Sequence, residues 1–259
     1  MKKKSLAIIG CGRLAQIVVD ALRKNMLDEY ELVAVYSRSK AKAQAISEQL
    51  PCRVCNNVDE LLECRPDYIV ETASPEALRE FAVPALQAGS SIVTLSIGAL
   101  ADDAFYDKVK AAAYRGGSRV YIASGAIGGL DVLRTATLMG NATARFDTEK
   151  GPHSLRNTPV YEEVLQTQKK TVFEGNAIDA IRLFPTKVNV SVAASIASVG
   201  LENIRVLITS TPDFVGDDHR IEIKNDQVHA VIDVYSSTAQ IAGWSIVSTL
   251  QNIVSPIVF

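Results

Sequence analysis

The segment Ile8-Ile9-Gly10-Cys11-Gly12-Arg13-Leu14-Ala15 constrains this chain more than any other. It continues a short apolar run, Leu6 to Ile9, that reads as a strand, and it leads into Leu14 to Lys24, which reads as a helix. A strand, a glycine turn and a helix in that order is the context in which glycines become a phosphate cradle. Gly10 permits the tight turn, Gly12 lets backbone N–H groups approach a pyrophosphate, and Ala15 lets the helix lie close on the strand. The helix N-terminus, at Arg13 and Leu14, then favours the anion. The segment predicts the start of a dinucleotide-binding βαβ unit; the plainer alternative is a glycine turn without a ligand.

Strand-like and helix-like segments go on alternating through the first half of the chain. Strands are expected at Glu31 to Tyr36, Arg53 to Cys55, Tyr68 to Glu71, Ser91 to Leu95 and Arg119 to Ala123. Helices are expected over Ser39 to Gln49, from Ser74-Pro75-Glu76 onward, where Pro75 suits a first turn, and over Asp102 to Arg115. This alternation implies an α/β Rossmann-type doubly wound parallel sheet. After Gly129 strands follow one another, as at Ile204 to Thr209 and Ile221 to Lys224, which implies a second, α+β domain. The last apolar-periodic stretch, Thr238 to Ile253, is expected to return to the first domain. The expected division is residues 1–124 with 236–259 for the dinucleotide, and 125–235 for substrate, catalysis and dimerisation.

Composition narrows the classes of partner. A formal charge of −2 gives no general attraction to nucleic acid or to an anionic membrane. No apolar stretch approaches the roughly 20 residues needed to span a bilayer. Four cysteines without a secretory signal point to reduced thiols and a cytoplasmic protein. Cys52, Cys55 and Cys64 lack a nearby fourth ligand, so no metal site is expected. A small metabolite is the expected partner.

Where an NAD-binding chain would carry an acidic residue at the end of the second strand, this one reads Tyr36-Ser37-Arg38-Ser39-Lys40. Arg38 can pair with a 2′-phosphate through its planar fork, with Ser37 and Ser39 donating hydroxyls, so NADP is preferred and NAD remains possible. The alternative is that Arg38 and Lys40 are solvated charges at a helix start.

Three histidines are present. His219 lies in Asp213-Phe214-Val215-Gly216-Asp217-Asp218-His219-Arg220, read as a polar loop in which nearby carboxylates raise its pKa and orient its ring. His153 falls in a Gly-Pro turn and His229 in a strand-like run, so His219 is the candidate general base.

Ser124-Gly125-Ala126-Ile127-Gly128-Gly129-Leu130-Asp131, the stretch from Phe184-Pro185 to Asn189-Val190, and His219 after Ile208 to Pro212 together resemble the L-aspartate dehydrogenase family. With the glycine turn, the resemblance covers nearly the whole chain. It implies oxidation of L-aspartate to iminoaspartate, which hydrolyses to oxaloacetate and ammonia or feeds NAD biosynthesis. It also implies that Ala126 and Asn189 contact the nicotinamide cofactor and that His219 is catalytic. Small residues at Gly125 and Ala126 suit close approach of a cofactor, and Ser124 is a candidate substrate contact.

One departure from the family pattern concerns the substrate. The family reads Asn-x-Asn-Val-Ala-Ala where this chain reads Lys187-Val188-Asn189-Val190-Ser191-Val192. Lys187 is either a point charge for a substrate carboxylate or a solvated loop residue. The alternatives are therefore an NADPH-dependent reductase of another imino acid, an aldehyde or a sugar, or a non-catalytic NADP-binding sensor. A strand-rich second domain is compatible with a homodimer.

Overall fold

The computed structural model describes residues 2–184 and 189–259. The chain divides into two compact units, residues up to Ala123 together with Ala242–Phe259, and Ser124–Ile241.

The first unit runs β1 (Lys4–Ile9), α1 (Arg13–Arg23), β2 (Tyr30–Tyr36), α2 (Lys40–Ser47), β3 (Arg53–Cys55), α3 (Val58–Glu63), β4 (Tyr68–Glu71), α4 (Pro75–Gln87), β5 (Ser91–Thr94), α5 (Asp103–Gly116) and β6 (Val120–Ile122). The strands form one sheet in the order β3-β2-β1-β4-β5-β6, each pair parallel, which is the doubly wound arrangement expected from the glycine turn. Because β1 is central, its run Leu6-Ala7-Ile8-Ile9 is buried throughout rather than alternating. Side chains start the helices: Ser74 Oγ accepts from Ala77 N–H at 3.2 Å to open α4, and Asp102 Oδ1 accepts from Phe105 N–H at 2.9 Å to open α5. The six-residue α3, absent from the expected elements, is too short to show a helical period. Asn57 caps it by accepting from Glu60 N–H at 2.9 Å.

The second unit contains α6 (Leu130–Leu138), β7 (Thr143–Lys150), α7 (Pro152–Leu155), β8 (Lys170–Gly175), α8 (Ala177–Leu183), α9 (Asn189–Ile196), β9 (Arg205–Ser210), β10 (Asp217–Lys224) and β11 (His229–Ser236). Among the described residues its strands form a mixed sheet in the order β11-β10-β7-β9-β8, with β7 and β9 parallel and the other pairs antiparallel. One face is buried under helices: Ala144, Phe146, Thr148 and Lys150 of β7 point inward, while the residues between them are half-buried. This is the α+β arrangement expected after Gly129.

The final helix, α10 (Gln240–Val254), sends Ile246, Val247 and Leu250 into the core of the first unit, as the apolar period predicts. Tyr30 Oη donates to the Leu250 carbonyl at 2.8 Å. Gly243 allows close packing, since a Cβ there would lie 2.5 Å from Ile17 Cδ1. None of the described helices is long and apolar enough to cross a membrane.

Candidate functional site

Ile9, Tyr36 and Glu71 end β1, β2 and β4 and stand in register across the first sheet. The strand order reverses between β1 and β4, and open α/β sheets hold ligands in the crevice outside such a reversal. A groove of about 410 Å³ opens there, walled by the turns Gly10 to Gly12, Tyr36 to Ser39 and Thr72 to Ser74. Gly10 has φ +92°, and its N–H donates to the Tyr36 carbonyl at 2.9 Å. Its carbonyl accepts from Thr72 Oγ1 at 2.6 Å. A Cβ on Gly10 would lie 2.7–2.8 Å from Ala73 N, Cα and Cβ, whereas one on Gly12 would meet nothing within 4 Å. The turn is thus tight against its wall and open toward the groove at the N-cap of α1, a shape that fits a pyrophosphate.

Gly10, Gly12, Ser37, Arg38 and Ser39 all line this groove. Arg13 and Leu14 instead begin α1 and contribute its N-terminal turn. Arg38 precedes the first residue of α2 by two positions and shares the wall with Lys42. Glu76 and Glu80 of α4 line the groove as well, so the cations and the carboxylates come from separate elements. Cys11 is no nucleophile, because burial first, and Cys52 second, push its thiol up to about 12.

Glu71 was not distinguishable in the sequence from any strand-end carboxylate. It is 0 % exposed. Its Oε1 accepts from Ala73 N–H at 2.7 Å and Ser96 Oγ at 2.8 Å; its Oε2 accepts from Thr94 Oγ1 at 2.5 Å and Ser96 N–H at 3.2 Å. Burial raises its pKa, against the pull of these bonds. The carboxylate fixes the Thr72 to Ser74 wall through Ala73. In Glu71→Gln either orientation of the amide turns its NH2 toward a backbone N–H, Ala73 on one side or Ser96 on the other. We expect a stability loss of about 1–3 kcal/mol, read by urea unfolding, and weaker dinucleotide binding, read by fluorescence titration. Unchanged values for both would remove Glu71 from the groove's support.

In the second unit His219 departs from the sequence reading in two respects. It lies in β10, not in a loop, with Thr148 and Val234 as its register partners. The sequence hid this because Asp217, Asp218 and Arg220 interrupt the apolar alternation at the strand's start. The residue is 3 % exposed and its ring stacks on Phe146 at 5.6 Å between centroids. Its pKa is also lowered, not raised. Burial is the larger cause and the Lys150 cation the second, and together they bring it to about 4 against the opposing effect of Asp217.

Lys150, unremarked in the sequence, is 7 % exposed, and its Nζ donates to Asp217 Oδ1 at 2.8 Å. Cross-strand pairing places Thr148 opposite His219, and Lys150 opposite both Asp217 and Ser210. The inward positions of β7, β9 and β10 therefore change from apolar to polar at one edge of the sheet.

Ser124 begins the second unit and its carbonyl accepts from Ile127 N–H at 3.3 Å in the turn that holds Ala126. Gly129 closes that turn with φ +65°, where a Cβ would come within 2.6 Å of Ile232 Cγ1. Asn189 is the first residue of α9, and the variant residues Ser191 and Val192 are buried in that helix. Lys187 lies outside the described residues.

Residues 131–253 match the family described as aspartate dehydrogenase, C-terminal, and residues 10–123 match the homoserine dehydrogenase NAD-binding domain. An L-aspartate dehydrogenase of Methanosarcina acetivorans is 32% identical, with 97% of each chain covered. One from Methanococcus maripaludis strain C6 is 29% identical, again with 97% of each covered. The crystal structure of aspartate dehydrogenase from Thermotoga maritima superposes with a TM-score of 0.78 at 27% identity, covering 99% of both chains. The nucleotide fold, the second-unit sheet and this full-length similarity lead to one assignment: the chain belongs to the L-aspartate dehydrogenase family.

Proposed function

We propose that this protein is an NADP-preferring amino-acid dehydrogenase that oxidises L-aspartate to iminoaspartate, which hydrolyses to oxaloacetate and ammonia or supplies NAD biosynthesis. The observation that carries the reading is the buried His219 at the polar edge of the second sheet, in a chain of this family. A bound nicotinamide supplies the two-electron acceptor. Gly10, Gly12 and the α1 N-terminus hold its pyrophosphate, Ser37, Arg38 and Ser39 take the 2′-phosphate, and Ala126 and Asn189 contact the nicotinamide end.

Burial and Lys150 keep the His219 imidazole neutral, the form that accepts a proton. An anionic substrate beside Lys150 offsets part of that cation's field and raises the ring's proton affinity. Uptake of the substrate ammonium proton by His219 is thus favoured once substrate is bound. Once that proton has passed to solvent, the neutral ring can take a second proton, from the water that attacks the imine. The reading also includes a cytoplasmic homodimer that binds neither nucleic acid nor membrane, with the second unit as the catalytic and dimerising domain.

The test is an absorbance assay of purified protein with L-aspartate and NADP or NAD, and in reverse with oxaloacetate, ammonia and NADPH. Turnover with aspartate and a lower KM for NADP are expected. Arg38→Ala should raise the NADP KM about 10–100-fold, the loss of one charge-assisted contact, and leave NAD within about twofold. Faster turnover with NAD in the unaltered protein overturns the cofactor preference. Absence of aspartate turnover alongside turnover of another amino acid overturns the substrate.

A further inference from the structure

The polar edge of the second sheet carries more unpaired hydrogen-bonding groups than folding needs. Thr148 Oγ1, Ser210 Oγ and His219 Nδ1 are buried without a hydrogen-bond partner among the described residues, and their residues are 3 %, 0 % and 3 % exposed. Buried polar atoms are nearly always paired in folded proteins, so three orphans on one face call for an explanation. Valine and alanine would fill the Thr148 and Ser210 positions without that cost. Ser210 stands opposite Lys150, and Thr148, two residues from Lys150 along β7, stands opposite His219. Neighbouring strands lie about 4.7–4.9 Å apart and same-face residues along one strand about 6.6 Å, so these positions fall within the span of one small ligand. Lys150 Nζ has three N–H donors, of which Asp217 Oδ1 takes one at 2.8 Å.

Two hydroxyls and an ammonium at neighbouring register positions of one face are all donors, and a carboxylate, with four lone-pair sites, is the acceptor that suits all three. We propose that Lys150, Thr148 and Ser210 form the subsite for a carboxylate of the substrate, a small dicarboxylic amino acid, beside His219. The proposal rests on the reading of the chain as an aspartate dehydrogenase, and it places the carboxylate contact on β7 and β9. In this arrangement Thr148 and Ser210 donate their hydroxyl protons and Lys150 supplies the countercharge. His219 Nδ1 is left to face the substrate's nitrogen.

Calorimetric titration with succinate, a four-carbon dicarboxylate that cannot turn over, tests the site on the NADP-saturated protein. Thr148→Val and Ser210→Ala should each raise the succinate Kd at least 5-fold, and Lys150→Met at least 30-fold, with the NADP Kd within twofold. In the free protein the two hydroxyl variants should melt no lower than the parent, because each removes an unpaired buried group. A melting loss with unchanged succinate affinity would assign the hydroxyls to structure and overturn the proposal. So would failure of the unaltered protein to bind succinate. The binding readout is independent of turnover. If succinate binding depends on these residues but aspartate is not oxidised, the subsite stands and the activity reading fails. If aspartate is oxidised with unchanged KM in all three variants, the activity stands and the subsite fails.

Discussion

His219→Ala is expected to lower kcat for aspartate oxidation by about 10²- to 10⁴-fold, the range a positioned general base contributes, with little change in the KM for the dinucleotide. The ring occupies a packed site against Phe146, so alanine also leaves a void. His219→Gln keeps more of the volume and should show the same kcat loss with less loss of stability. Stopped-flow and steady-state absorbance on both variants separate the two effects; near-normal turnover in His219→Gln would remove the catalytic role.

The same residue predicts a pH dependence of stability. Burial, and after it Lys150, bring the folded pKa to about 4, against 6.5 for an unperturbed histidine. Above pH 6.5 the ring is neutral in both states and the full stability is present. As pH falls from 6.5 toward 4 the unfolded chain takes up a proton that the folded chain refuses, so stability declines. The loss amounts to roughly 3 kcal/mol over that window. Other groups titrate there too, so the diagnostic quantity is the difference in urea-unfolding free energy between the unaltered protein and His219→Gln at pH 7 and pH 4.5. Equal pH slopes in the two would contradict a buried neutral ring.

The first unit was legible because its signals are local. The glycine turn, the buried run of β1 and the capping residues Ser74 and Asp102 each lie within a few residues of the structure they specify. The second unit was legible only in outline, because its site is assembled by cross-strand register. Thr148 and Lys150 on β7 lie 60 residues or more before Ser210 on β9 and Asp217 and His219 on β10, and they meet them through pairing.

A signal was nevertheless present. Phe146, Thr148 and Lys150 recur with period two, as do Ile208 and Ser210, and Ile221, His219 and Asp217. Each series passes from apolar to polar. Because β7 and β9 run parallel and β10 antiparallel to them, the polar ends fall on the same edge. Glu71 gave no such signal, since its four donors come from three separate points along the chain.

Gly10→Ala and Gly12→Ala should separate folding from binding at the turn that first defined the chain. At Gly10 the backbone is left-handed, and a methyl group would overlap Ala73. Ala73 has no freedom to retreat, because its N–H is bound to Glu71 Oε1 at 2.7 Å and the preceding Thr72 N–H is bound to the Ile9 carbonyl at 3.0 Å. We expect Gly10→Ala to lose about 2–4 kcal/mol of stability and to weaken dinucleotide binding about tenfold or more, through displacement of the turn. At Gly12, with φ −89°, alanine is unstrained and its methyl meets no atom of the protein. Gly12→Ala should therefore unfold within about 0.5 kcal/mol of the parent and still bind the dinucleotide more weakly, because the methyl takes the space where a pyrophosphate approaches the helix N-terminus. Thermal melts of the free proteins and titration with NADPH measure both. Parent-like affinity in Gly12→Ala would dissociate the groove from the cofactor, and parent-like stability in Gly10→Ala would refute the steric argument at Ala73.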